Sequence, residues 1–143
     1  MVESGADDPF EFGTGRDPIP LFDKLLPRTL RAAQIGDVFE WRADTIALEI
    51  GRRVVRFGGA ALIIDYGHPE SAIGDTLQAV GRHDFADPLA APGRVDLTAH
   101  VDFQALAQAA EGMGARAHGP LPQGVVLRQL GIEERAAALK RGA

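Results

Sequence analysis

The chain has 143 residues, 45% hydrophobic and 24% charged, which is one domain's worth of ordinary globular sequence with little core to spare. A formal net charge of −5 without a compensating basic face argues against a nucleic-acid backbone or an anionic membrane as partner. The lack of cysteine excludes disulfides, thiolate zinc sites and thiol nucleophiles, and with no long apolar run and no basic-then-apolar start the expected compartment is the cytoplasm.

Residues 1–20, rich in Asp, Glu, Gly and Pro without periodicity, read as an irregular arm. Residues 21–30 suit a short helix interrupted at Pro27, and Val38-Phe39-Glu40-Trp41 suits a short strand. Next, Asp44 or Thr45 can cap a helix in which Ile46, Ala47, Ile50, Val54 and Phe57 recur at helical spacing. The pair Gly58-Gly59 stops that helix and allows a tight turn. Residues 60–64 are then uniformly apolar, as expected of a strand buried on both faces in the middle of an α/β sheet. Asp65, Tyr66, Gly67 and His68 fall at its carboxyl end, the edge where such sheets bind ligands.

The stretch 68–100 carries turn signals at His68-Pro69, Asp87-Pro88 and Pro92-Gly93 and shows little regular pattern beyond an extended 76–80. Asp102 is placed to cap a helix with Phe103, Leu106, Ala107 and Ala110 on one face, ending at Gly112 to Gly114. Residues 115–118 suit a strand closed by Gly119-Pro120. Short helices are expected over 123–130 and 133–141, the latter with acids first and bases last to suit the helix dipole.

Asp65, Tyr66 and His68 could supply proton transfer, hydrogen bonding or substrate positioning. Alternatively, Asp65 caps neighbouring amides and Gly67 supplies a left-handed turn. Asp96 and Asp102 bring carboxylates near the same edge, with backbone capping as the competing role. Glu11-Phe12-Gly13-Thr14-Gly15-Arg16 imitates a glycine-rich cofactor loop, but Pro18 and Pro20 leave no helix start to face a ligand. His68, His83, His100 and His118 match no metal-ligand spacing, and Ser71 lies in no nucleophile elbow.

The segment from Gly59 to His68, Gly-Ala-Ala-Leu-Ile-Ile-Asp-Tyr-Gly-His, resembles the "GGALLIDYGH" segment of the MidA-type S-adenosylmethionine-dependent methyltransferases. So do Gly74-Asp75-Thr76-Leu77-Gln78-Ala79, Pro92-Gly93 and Asp96-Leu97-Thr98-Ala99-His100-Val101-Asp102-Phe103. Gly119-Pro120, Gln123, Leu127 and Leu130-Gly131-Ile132 resemble its "GP.TQ..FL..LGI" pattern, and the resemblance runs from about Leu21 to Arg135. It implies a Rossmann-like sheet, S-adenosylmethionine as methyl donor and a protein arginine as acceptor. The family includes a mitochondrial enzyme that assists respiratory complex I assembly, so a complex I subunit is the implied partner. Asp65, Tyr66 and His68 then become the catalytic candidates, and Gly67, Asp96 and Asp102 the substrate-side ones.

The family's "ELGPGRG" cofactor loop, its "NE..DA" motif and its "MG.LFKV" strand have no counterpart here, so no cofactor contact is carried over. Residues 21–143 are therefore expected to be the C-terminal part of a methyltransferase domain: a partial Rossmann-like α/β sheet with flanking helices, lacking its cofactor half and last strand. That last strand normally lies antiparallel between the two strands retained here. The expectation is an incomplete sheet, inactive by itself and able to pair with another chain, whether a second copy or an N-terminal half. The alternative function is a non-catalytic protein-binding module, the recognition half of a split methyltransferase.

Overall fold

The computed structural model describes residues 10–17, 19, 24, 26–32, 34–41 and 44–142. Within the expected arm, 10–17 and 19 form no helix or strand. Residues 21–23 and 25 of the helix expected over 21–30 lie outside the described residues. After Pro27 the chain makes a 3-10 turn, Arg28–Leu30, with the Leu30 N–H donating to the Pro27 carbonyl at 2.9 Å. The stretch 38–41 is not a strand, and its Val38 carbonyl accepts the Gly74 N–H at 2.9 Å.

Helix α1, Thr45–Phe57, follows the apolar spacing, and Gly58 ends it at φ 73° with its N–H on the Val54 carbonyl at 2.9 Å. Its solvent face carries Glu49, whose hydrogen bonds from Arg52 and Arg53 hold its carboxyl down at about 2. Helix α2, Phe103–Gly112, starts where Asp102 Oδ1 accepts the Ala105 N–H at 2.9 Å. The two helices pack together, with Ala47 and Gly51 of α1 buried. At Gly51 the approach is so close that a Cβ would sit 3.0 Å from the Cα and carbonyl oxygen of Ala110. Glycine is needed there for the crossing, despite its poor helix propensity.

Residues 60–64 correct the sequence reading. They form no strand: Leu62 is 83% exposed, Ile63 46% and Ile64 72%, and no ladder partner lies beside them among the described residues. A strand cannot satisfy its own N–H and C=O groups, so sequence suited to a buried strand becomes one only where a neighbour exists. Pairing starts later, where β1 (Gly67–His68) runs parallel to β5 (Val101–Asp102), with Gly67 opposite Val101 and His68 opposite Asp102.

The stretch between them holds more structure than its turn signals suggest. Strands β2 (Gln78–Gly81), β3 (Asp84–Ala86) and β4 (Asp96–Thr98) form an antiparallel sheet in the order β3-β2-β4. Its first hairpin turns through Arg82 and His83 at φ 52° and 70°, without the Asn-Gly signal that announces such turns. Ala79, on the central strand, is 1% exposed. The expected strand over 115–118 has no ladder. Helices α3 (Gln123–Gln129) and α4 (Ile132–Arg141) form where expected, separated by Gly131 at φ 82°.

The fold is thus mixed α/β, with one small parallel and one small antiparallel sheet. A Rossmann-like sheet does not assemble among the described residues. Their buried apolar residues are Leu26, Ala47 and Ala79, and no large side chain is fully enclosed.

Candidate functional site

Gly67 fixes the site's backbone. A Cβ there would lie 2.0 Å from the Val101 carbonyl oxygen and 2.7 Å from its nitrogen, a clash that only glycine avoids. Its φ is not positive, so close approach to β5, and not a left-handed turn, accounts for the glycine. Immediately before it, the Tyr66 carbonyl accepts the Val101 N–H at 3.1 Å.

Just before β1, Asp65 Oδ1 accepts the Tyr66 N–H at 2.8 Å, while the residue stays exposed. His68 Nδ1 donates to the Glu70 carbonyl at 2.7 Å, which makes Nε2 the ring's acceptor. The half-exposed Tyr66 ring meets His100 edge to face, 5.8 Å between centroids and at 86°.

Asp102 has both oxygens engaged. Oδ1 caps α2, and Oδ2 accepts the Ser71 hydroxyl at 2.6 Å. The Ser71 N–H also donates to Gln104 Oε1 at 2.8 Å, so the stretch after β1 is tied to the first turn of α2. Asp44, at the start of α1, has its carboxyl pushed up by partial burial and then by the Asp102 carboxylate. His68 and Asp102 line a small open pocket with Phe39, Glu40, Ile73 and Thr76. Asp96 sits elsewhere, exposed on β4 opposite Val80. The structure therefore brings Asp65, Tyr66, Gly67, His68 and Asp102 together around the β1–β5 pair and leaves Asp96 in the other sheet.

Sequence reasoning passed over the residues that brace this arrangement. Glu40 accepts the Thr76 N–H at 3.0 Å and the Thr76 hydroxyl as well. Thr76 Oγ1 in turn accepts the His100 N–H at 2.9 Å, and the Gln78 amide donates to His100 Nε2 at 3.0 Å. Each belongs to a segment that carries the family resemblance, but nothing in its spacing announces that the three segments meet.

A family model described as "Putative S-adenosyl-L-methionine-dependent methyltransferase" matches residues 1–121. The chain belongs to this family. Mitochondrial protein arginine methyltransferase NDUFAF7 of Mus musculus is 43% identical over 97 residues, and that of Homo sapiens 41%; each match covers 68% of this chain and 22% of the relative. The Caenorhabditis elegans homolog is 39% identical over 117 residues, 80% of this chain and 27% of the relative. The chain thus spans about a fifth to a quarter of the length of these relatives.

Family membership implies S-adenosylmethionine, and the glycine-rich stretch 11–16 is the segment that imitates a loop for it. The glycine-rich stretch 11–16 is exposed and itself forms neither helix nor strand. A Cβ at Gly13 would meet nothing within 4 Å, so no backbone cradle closes around it. With no backbone cradle about Gly13, residues 11–16 do not by themselves fit the cofactor. Among the described residues, no three or more His, Asp or Glu converge to hold a metal, and no helix is long and apolar enough to cross a membrane.

Proposed function

We propose that this chain is the acceptor-side part of an S-adenosylmethionine-dependent protein-arginine methyltransferase. In this reading it presents Asp65, Tyr66 and His68 to a substrate arginine, while sequence other than its described residues holds the methyl donor. The observation that carries it is the convergence of these groups at the start of β1, which β5 braces, next to a pocket lined by Glu40, His68 and Asp102, in a chain of this family.

A guanidinium is planar, permanently charged and suited to carboxylate recognition, which Asp65 can provide because one of its oxygens is not committed to the Tyr66 amide. Tyr66 and His68 Nε2 add a phenol and an acceptor nitrogen. Methyl transfer depends mainly on position and charge complementarity, so orienting the acceptor is a substantial contribution. The Gly67 backbone and Asp102 support the site, and Asp96 would join it only if β4 were turned toward the substrate. The chain's own part is binding and orientation.

The resemblance also points to a complex I subunit as the arginine-bearing protein. A bacterial cytoplasm would be the matching compartment, set against the mitochondrial location in the relatives' names. The sheet would be completed, in a Rossmann-like arrangement, by a cofactor-holding segment or a second copy pairing along residues 60–64. The exposure of Leu62 and Ile64 supports this, because that edge carries no Lys or Pro to discourage pairing.

Three calorimetric titrations on the full chain test the proposal. An arginine peptide should bind and its citrulline analogue should not, while S-adenosylmethionine without peptide gives no saturable heat. Micromolar S-adenosylmethionine binding would overturn the acceptor-side assignment. Equal affinity for both peptides would remove the guanidinium from the reading.

A further inference from the structure

Tyr66 lies at the end of a segment with no ladder partner and is itself 52% exposed, conditions under which an aromatic side chain ordinarily samples several rotamers. Here both of its ends are held by consecutive residues. Val101 holds its carbonyl, and His100 meets its ring edge-on. His100 is held in turn at two points, its backbone N–H on Thr76 Oγ1 and its Nε2 on the Gln78 amide. Thr76 is anchored at both its N–H and its hydroxyl by the two oxygens of Glu40. These bonds join residues 22 to 36 positions apart, so they cannot arise from local turn formation.

We propose that Glu40, Thr76 and His100 form a positioning chain that sets the orientation of the Tyr66 ring; its relevance to substrate rests on the acceptor-side reading above. A charged acceptor at one end makes the chain directional. Glu40 accepts from Thr76, and the same hydroxyl oxygen that donates to Glu40 accepts from His100. Gln78, by donating to Nε2, leaves the His100 ring proton on Nδ1 and fixes the tautomer. None of these residues needs to touch a substrate. They act through Tyr66.

Tyr66 is the sole tyrosine of the chain, so its ring protons can be followed without overlap in a tyrosine-labelled sample by NMR. In the unsubstituted chain they should be displaced from free-tyrosine values by the His100 ring. His100→Ala should return them most of the way, Thr76→Val part of the way, and His100→Phe should keep them displaced because it preserves an edge-to-face ring. The amide signals of α1 and α2 report that each variant is folded. Unchanged Tyr66 signals in folded His100→Ala, or the same loss in His100→Phe as in His100→Ala, would overturn the proposal.

Arginine-peptide affinity separates this result from the functional reading. His100→Ala should weaken binding by about two- to tenfold, the range an aromatic edge contact supports, and His100→Phe should restore it. If the peptide fails to bind the unsubstituted chain, the acceptor-side reading falls while the ring signals still decide the positioning chain. If it binds all three proteins equally, the positioning chain has no bearing on recognition and the proposal is overturned in that respect.

Discussion

The α1–α2 pair and the apolar run 60–64 are equally clear as sequence patterns, yet they fare differently in the structure. A helix closes its own hydrogen bonds and needs a neighbour only for its apolar stripe, which α1 finds across Gly51 on α2. The run 60–64 needs a neighbour both for its backbone groups and for its side chains. Leu62 and Ile64 consequently remain open to solvent, and each forgoes about 1.5–3 kcal/mol of burial. Local sequence suffices for the first kind of element and not for the second.

The comparison can be broken or sharpened by substitution, beginning where the largest effect is expected. Gly67→Ala places a methyl in the Val101 backbone, and should cost about 3 kcal/mol or more by separating β1 from β5. A urea midpoint equal to that of the unsubstituted chain would show that the parallel pair does not hold the site. Gly51→Val overfills the α1–α2 crossing and should cost about 2 kcal/mol, with loss of helical circular dichroism at lower urea. If it proves neutral, the helix pair is not the stable element of this comparison.

Asp102→Ala removes the α2 cap and the Ser71 partner together, for about 1–2 kcal/mol. Amide hydrogen exchange should quicken first at Ala105 and Ser71. Uniform quickening along the chain would argue against this local role. Asp44→Asn should act in the opposite direction. Its carboxyl is raised above the ordinary 3.8, so the stability it lends is complete below that value and is lost as pH rises through the folded-state value. At neutral pH its ionised form is unfavourable, and the amide should gain roughly a few tenths of a kcal/mol, fading in acid. Thermal melts at pH 7 and pH 3 measure this, and a gain that grows in acid would reverse the sign. The smallest effect is expected from Leu62→Lys, within about 0.5 kcal/mol, because that side chain is already solvated. A large loss of stability would mean that residues 60–64 are covered in solution.

The sequence by itself determined α1, α2, α3 and α4, the Asp102 cap and the glycine stops, and the family, because these depend on local periodicity and contiguous motifs; the cap expected of Asp44 at α1 is not made by its side chain. It also marked Asp65, Tyr66, Gly67 and His68 as neighbours, since four adjacent residues need no folding to be near one another. Only the tertiary structure decided that Gly67 answers to the Val101 backbone, that Asp102 also holds the Ser71 hydroxyl, and that Asp96 stands in a different sheet. The same holds for the Arg82-His83 hairpin and for the line from Glu40 through Thr76 and His100 to Tyr66. Strand pairing and long-range hydrogen bonds are contracts between distant segments, and neither segment carries the other's address in its own residues.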